Sequence, residues 1–173
     1  DWLEASYQYT DINNALYSNV AAFSGDQTYK DKGFDIKLLL LKERRYTPAI
    51  AVGLRDFAGT GIFASEYIVA SKKIKNIDIT GGIGFGTLSS NGFNNPFTSI
   101  SNSFSKRTGI GDTQGGEANF GSFFSGKAGI FAGAEIIVPN ANGLRFKVEY
   151  DSTDYTIEGF PYFDRISSFA LSL

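Results

Sequence analysis

Alternation of apolar and polar residues over stretches of about ten residues constrains this chain more than any other feature. Leu3, Ala5, Tyr7 and Tyr9 alternate with Glu4, Ser6, Gln8 and Thr10. Ile77, Ile79, Ile83 and Phe85 alternate with Asp78, Thr80, Gly82 and Gly84, and Leu144, Phe146, Val148 and Tyr150 with Arg145, Lys147 and Glu149. A period of two places the two classes on opposite faces of a β-strand. About eight such segments follow one another, at 2–10, 34–43, 48–57, 63–73, 77–87, 128–138, 144–151 and 164–173. The second is less clean, because Leu38 to Leu41 put apolar residues on both faces. About ten residues is also the length a tilted strand needs to cross a bilayer. No run approaches the roughly 18 apolar residues of a transmembrane helix. The expected fold is all-β: an antiparallel up-and-down transmembrane β-barrel of about eight strands, one domain over residues 1–173.

The connections sort by length. Those around Arg44–Tyr46, Lys73–Asn76 and Pro139–Gly143 are short, whereas 11–33, 88–127 and 152–163 are long, with Ala58–Ile62 a compact exception. Outer-membrane barrels have this asymmetry, with short periplasmic turns and long extracellular loops. An aromatic residue sits near the long-loop end of each segment: Tyr9, Phe34, Phe57, Phe63, Phe85, Phe124, Tyr150 and Phe163. Such rings at one height suit a girdle at headgroup level. Trp2 and Tyr46 are the candidates at the other end.

Register follows from the short turns. With Val138 opposite Leu144, Glu135 falls opposite Lys147; the turns at Arg45 and at Ile74–Lys75 place Asp35 opposite Arg55 and Lys72 opposite Asp78. Each hairpin then has an apolar face and a face with an opposite-charge pair. Alternation alone leaves open which face is inward. Charges facing lipid near the midplane cost about 2–4 kcal/mol each, so in a membrane barrel the charged face is the lumen. The inward set would be Glu4, Asp35, Lys37, Arg55, Glu66, Lys72, Asp78, Glu135, Arg145, Lys147 and Glu149, with Gly53, Gly82, Gly84 and Gly86 leaving room between them.

Composition narrows the chemistry. The chain has no Cys and no His, so thiolate nucleophiles, disulfides and the commonest base and metal ligand are absent. No enzymatic site, cofactor or metal is expected. The net charge of −2 offers no basic surface for nucleic acid. Without Met, the chain is expected to be a processed form or part of a longer protein. The loop carboxylates Asp11, Asp26, Asp31, Asp112 and Glu117 match no EF-hand spacing and are expected to be solvated. Gly82-Ile83-Gly84-Phe85-Gly86 does not lead into a helix, so it reads as a strand with small inward residues rather than a phosphate loop.

The loop 88–127 is rich in Gly, Ser and Asn, with Phe residues interspersed. A disordered linker carries few aromatics, so this one is expected to fold over the mouth, into it, or against a partner. Phe93, Asn94, Asn95 and Phe97 are its candidate contact residues, since rings stack on sugar faces and amides bond hydroxyls; packing of the loop on itself is the alternative.

Three stretches, Val52–Lys72 (VGLRDFAGTGIFASEYIVASK), Gly82–Gly86 (GIGFG) with its Asn-rich loop, and Gly143–Asp151 (GLRFKVEYD), resemble the YjbH-like proteins, outer-membrane β-barrel proteins associated with exopolysaccharide biosynthesis and export. The resemblance covers roughly residues 48–155 and is strongest over Asp56–Tyr67. Members of that family are much longer than this chain, which would be one barrel-sized portion. The resemblance implies location in the bacterial outer membrane, contact with its bilayer, and a scaffold or conduit role in making or exporting polysaccharide, with polysaccharide or other envelope proteins as partners. It supplies no catalytic residues. Two other readings stay open: a structural or adhesive surface barrel that binds a partner through its long loops, and a soluble lipocalin-like carrier with the apolar face inward.

Overall fold

A computed structural model of the chain describes residues 1–58, 63–89, 92–107, 120–153 and 169–172. The alternating segments are strands: β1 (Leu3–Leu16), β2 (Thr28–Leu41), β3 (Ala49–Arg55), β4 (Ser65–Ile74), β5 (Ile77–Gly86), β6 (Ala128–Ile137), β7 (Arg145–Asp151) and β8 (Phe169–Ser172). They make one 8-stranded sheet in sequence order, every neighbour antiparallel. Among the described residues β8 pairs only with β7, and β1 only with β2. The observed architecture is therefore an up-and-down sheet with two open edges; the expected closed ring is not seen among these residues. No described helix is long and apolar enough to cross a membrane.

The register builds two unlike faces, because directly opposed residues share a side of the sheet. One row runs Leu3, Leu38, Val52, Ile68, Ile83, Ile130 from β1 to β6. The adjacent row on the other face runs Glu4, Lys37, Gly53, Tyr67, Gly84, Gly129. Among the described residues nothing packs over most of the apolar face. Tyr7, Phe34, Ile79, Ile130, Phe146 and Leu171 are all exposed, Ile130 at 50%. Buried hydrophobic residues among the described positions are few: Ile12, Ala51, Phe85 and Ala128. Withdrawing about a dozen half-exposed apolar side chains from water is worth roughly 1 kcal/mol apiece, on the order of 10 kcal/mol together, as much as the folding free energy of a typical domain.

Close packing on the polar face depends on glycines: at the long-loop end Leu88 lies over Gly84 and Gly129, and further along the sheet rings lie over Gly53 and Gly82. A Cβ at Gly53 would lie 2.2 Å from the Tyr67 ring, and one at Gly82 would lie 2.3 Å from the Phe131 ring and 2.7 Å from the Ile68 carbonyl oxygen. Tyr67 and Phe131 thus lie across neighbouring strands and meet edge to face, with centroids 6.1 Å apart. The expected room beside Gly53 and Gly82 goes to these rings, and that beside Gly84 to Leu88, rather than to Arg55 or Glu66.

Three expectations need correction. The β4–β5 turn is the two-residue Lys75–Asn76, with Ile74 opposite Ile77 and Lys75 at φ 56°. The register is therefore one residue from that expected: Lys73, not Lys72, opposes Asp78, and Lys72 opposes Ile79 on the apolar side. Glu66 also lies on the apolar side, opposite Leu54 and Phe85. The Leu38–Leu41 ambiguity resolves as a β-bulge. Leu39 opposes Ala51 and Leu41 opposes Ile50, so Leu40 is the extra residue and Leu38 and Leu41 share a face.

Candidate functional site

Connections at one end of the sheet are short (42–48, 75–76 and 138–144) and at the other longer (17–27, 56–64, 87–127 and 152–168). Function-bearing geometry concentrates on the polar face and at the long-loop end.

The polar face carries charge in a sorted order. Lys73, Asp78, Glu135 and Lys147 form one cross-strand row, positive at both ends and negative in the middle. Glu135 does oppose Lys147, but its carboxylate accepts from Arg145 at 2.8 Å, while Lys147 meets Glu149 at 2.7 Å. Glu4 pairs with Lys37 at 3.4 Å. These pairs are partly exposed and each contributes about 0–1 kcal/mol. Asp35 and Arg55 lie one step beyond the last paired residues of β2 and β3, Ile36 and Leu54, and form no ion pair with each other. Instead Asp35 Oδ1 accepts the Asp56 amide at 2.9 Å, and Asp56 Oδ2 accepts the Phe63 amide at 3.1 Å. A Cβ at Gly33 would lie 2.9 Å from Asp56 Oδ1, so this glycine lets the β3–β4 loop rest on β2. Asp31, expected to be solvated, is fully buried on the same face. Among the described residues no group of three Asp or Glu side chains is placed to hold a metal ion; Asp112 and Glu117 lie outside them.

At the short-turn end Lys72 Nζ donates to Glu43 at 2.9 Å and the Lys73 amide donates to the same carboxylate at 3.1 Å. These two bonds hold the Glu43 carboxyl below its usual range.

At the long-loop end residues 93–107 and 120–127 fold into a cap against the edge of the apolar face. Phe93 bridges to Ala128 as an extra strand pair. Phe85, an expected girdle residue, is fully buried under this cap, stacked on Phe97 at 5.6 Å and edge-on to Phe124 at 5.5 Å. Beside it Glu66, only 2% exposed, accepts hydrogen bonds from Nη1 and Nη2 of Arg107, each at 2.8 Å, and from the Phe124 amide at 2.9 Å. A carboxylate on the apolar side of a strand is thereby fully paired, as burial of a charge requires. Of the candidate loop contacts, Asn95 is buried and donates to the carbonyls of Phe104 and Phe124, and Phe97 packs inside the cap; Phe93 and Asn94 remain exposed.

The other expected girdle residues divide. Tyr9 and Phe34 are exposed on the apolar face, where Tyr7 joins them, its ring 5.1 Å from that of Phe34. Tyr150 lies on the same face beside Phe169 at 5.1 Å. Phe57 and Phe63 are half-buried in the β3–β4 loop, and Phe124 is in the cap. Phe163 lies outside the described residues. At the other end Trp2 and Tyr46 are exposed, Trp2 falling opposite Leu39 on the polar side of the sheet, and Phe146 is exposed on the apolar face of β7.

Two features have no counterpart in the sequence reading. Arg107 was one cation in a polar loop, and only the apolar-side position of Glu66 demanded a buried partner. The second is a ring stack at the tip of the β1–β2 hairpin, where Tyr17 lies 5.8 Å from Tyr29 and 6.2 Å from Phe23; the exposed aromatics of 11–33 were its signal.

Comparison with known proteins agrees with the resemblance and extends it. The YjbH family model, described as exopolysaccharide biosynthesis protein YbjH, matches residues 1–169. The Escherichia coli (strain K12) protein named "Uncharacterized lipoprotein YjbH" is 44% identical over 155 residues, 89% of this chain. The chain spans only 22% of the length of that relative. No solved structure matches.

Proposed function

Because the chain belongs to the YjbH family of exopolysaccharide biosynthesis proteins, we propose that it forms part of the wall of an outer-membrane β-barrel that assists production or export of exopolysaccharide, as scaffold or conduit rather than as enzyme. The observation that carries this reading is an apolar face, uncovered among the described residues, on a hairpin-joined sheet whose loops sort by length between its two ends. A face of this area needs a cover, and acyl chains supply one without a second protein layer. The opposite face holds Glu4, Lys37, Asp78, Glu135, Arg145, Lys147 and Glu149. Turning those Lys and Arg residues to lipid would cost about 2–4 kcal/mol each, so the charged face lines the interior.

Strands β4, β5 and β6 are each 10 residues long, within the 9–11 or so that a tilted strand needs to span the hydrocarbon. Exposed Tyr7, Tyr9 and Phe34 then mark the outer interface, and Tyr46 and Phe146 the inner one. The outer edges of β1 and β8, unpaired among the described residues, cannot stay open in lipid. The ring is closed in this reading, by these edges meeting or by further strands. The name of the Escherichia coli relative adds a lipoprotein, and with it a cell-envelope setting.

The test has two arms. The full-length protein should stay with the outer-membrane fraction after a carbonate wash and run faster on a gel before boiling than after. A strain lacking the gene should release less polysaccharide, restored by the gene in trans. Recovery in the soluble fraction without detergent sinks the barrel; undiminished secretion sinks the export role.

A further inference from the structure

The β1–β2 hairpin rises past the rest of the sheet. Both strands run 14 residues, about three to five more than a bilayer crossing requires. On the apolar face Tyr9 and Phe34 end the apolar band, and Asp11, Lys30 and Lys32 follow, with Asp11 and Lys30 paired at 3.6 Å. A charged collar therefore separates the membrane band from what lies above it. Above the collar, residues 12–25 contain no Asp, Glu, Lys or Arg.

This tip, in which exposed Asp26 is the one charged residue between Ile12 and Tyr29, is ordered. The Tyr17 amide donates to the Gln27 carbonyl at 2.9 Å, and the short α1 (Ala21–Ser24) ends at Gly25, whose φ of 59° turns the chain back. Ile12 and Tyr29 oppose each other on the polar-face side of the hairpin. Tyr17 packs on Tyr29, and Phe23 stacks on Tyr17 with the ring planes 22° apart. Tyr17 stays 53% exposed and Phe23 74%. Asn13, Asn19 and Gln27 of the same segment are exposed.

We infer that the Tyr17–Phe23 stack is a carbohydrate-binding platform at the mouth of the barrel; the inference rests on the export reading above. The C–H face of a pyranose packs on an exposed aromatic ring while its hydroxyls exchange hydrogen bonds with neighbouring amides. The tip offers a ring with amides and the Asp26 carboxylate near it in the chain, groups that bond saccharide hydroxyls, and residues 12–29 include no Lys or Arg for an acidic peptide to pair with. Insertion into lipid is disfavoured by the collar beneath and by the four-residue length of α1. The stack also stands on the side of the sheet that lines the interior, where an emerging chain would pass.

The test uses full-length protein in lipid nanodiscs and, as probe, exopolysaccharide purified from the medium of the producing strain. Phe23→Ala should weaken binding about tenfold, equivalent to about 1.4 kcal/mol, and Phe23→Trp should retain it. Phe120→Ala, an exposed ring on the cap, should bind as wild type. Intact heat-shift behaviour checks that each variant folds. The platform is overturned if wild type does not bind the probe, or if Phe23→Ala binds it equally well. It is also overturned if the substitution releases only a co-purifying envelope protein. Failure of the export reading is seen separately: a strain lacking the gene then secretes normally, whatever the binding result.

Discussion

Removing the Arg107 guanidinium should open the cap and leave the sheet intact. Glu66 is almost fully buried and accepts two bonds from Arg107 and one from the Phe124 amide. Arg107→Ala removes both guanidinium bonds and strands a carboxylate on the apolar side of β4. Breaking a fully buried pair costs about 3–5 kcal/mol. The Arg107 side chain is 22% exposed, so water relieves part of that, and about 2–4 kcal/mol remains. The loss should appear as local opening, because the cap holds itself through Asn95 and its Phe cluster while the strands hold through their ladders. Amide exchange reads it directly. Protection of the Phe124 and Gly126 amides, which donate to Glu66 and to the Phe104 carbonyl, should fall about 30- to 1,000-fold, while that of Ile68 and Ile83 mid-sheet should not move. Arg107→Lys should fall between, since an ammonium cannot reproduce the two-pronged contact. Unchanged cap protection, or an equal loss in β4 and β5, would refute the clasp.

Gly82→Ala should destabilise by about 1–3 kcal/mol, because its methyl meets the Ile68 carbonyl as well as the Phe131 ring. Gly53→Ala should cost less, since only the Tyr67 ring must move; denaturant midpoints of the two variants give the order. The depressed Glu43 carboxyl contributes stability that is present above its ordinary value of 4.5 and is lost as pH falls through its lower folded value. Lys73 amide protection should therefore fall only in strongly acidic solution, and Glu43→Gln should remove that dependence. Ile130→Lys should cost about 2–4 kcal/mol in a bilayer, the reverse of the solubilising effect expected on a water-exposed sheet.

The strands were legible because alternation survives wherever one face is apolar: Ile77–Gly86 and Ala128–Ile137 fall nearly where their side-chain pattern puts them. The β6–β7 register was legible for the same reason, as Val148 opposite Ala134 fixes Lys147 opposite Glu135. Pairing was not, because Glu135 reaches diagonally across to Arg145 on β7 and Lys147 reaches along β7 to Glu149; long side chains choose among several neighbours on one face. Lys75 at positive φ hid the two-residue turn, since nothing local marks a lysine for that conformation, and one residue of slip carried Lys72 to the other side. β1 and β2 run longer than their apolar alternation suggests, because above Tyr9 the phase changes: Asp11 takes the apolar side and Ile12 the polar one. Glu66 misled by the same route, an acid read as inward that instead anchors the cap. Contacts within 88–127 depend on Arg107 meeting a strand far away in sequence, which no local pattern encodes.

The central claim is that one face of the sheet meets lipid and the other does not. Spin labels placed one at a time at single cysteines from Ile130 to Glu135, in full-length protein reconstituted in lipid, test it most directly; this chain contributes no cysteine of its own. Labels at Ile130, Ala132 and Ala134 should be accessible to oxygen dissolved in the bilayer, and those at Phe131, Gly133 and Glu135 to a water-soluble nickel reagent, with a period of two. Uniform access of the nickel reagent to all six positions would contradict it.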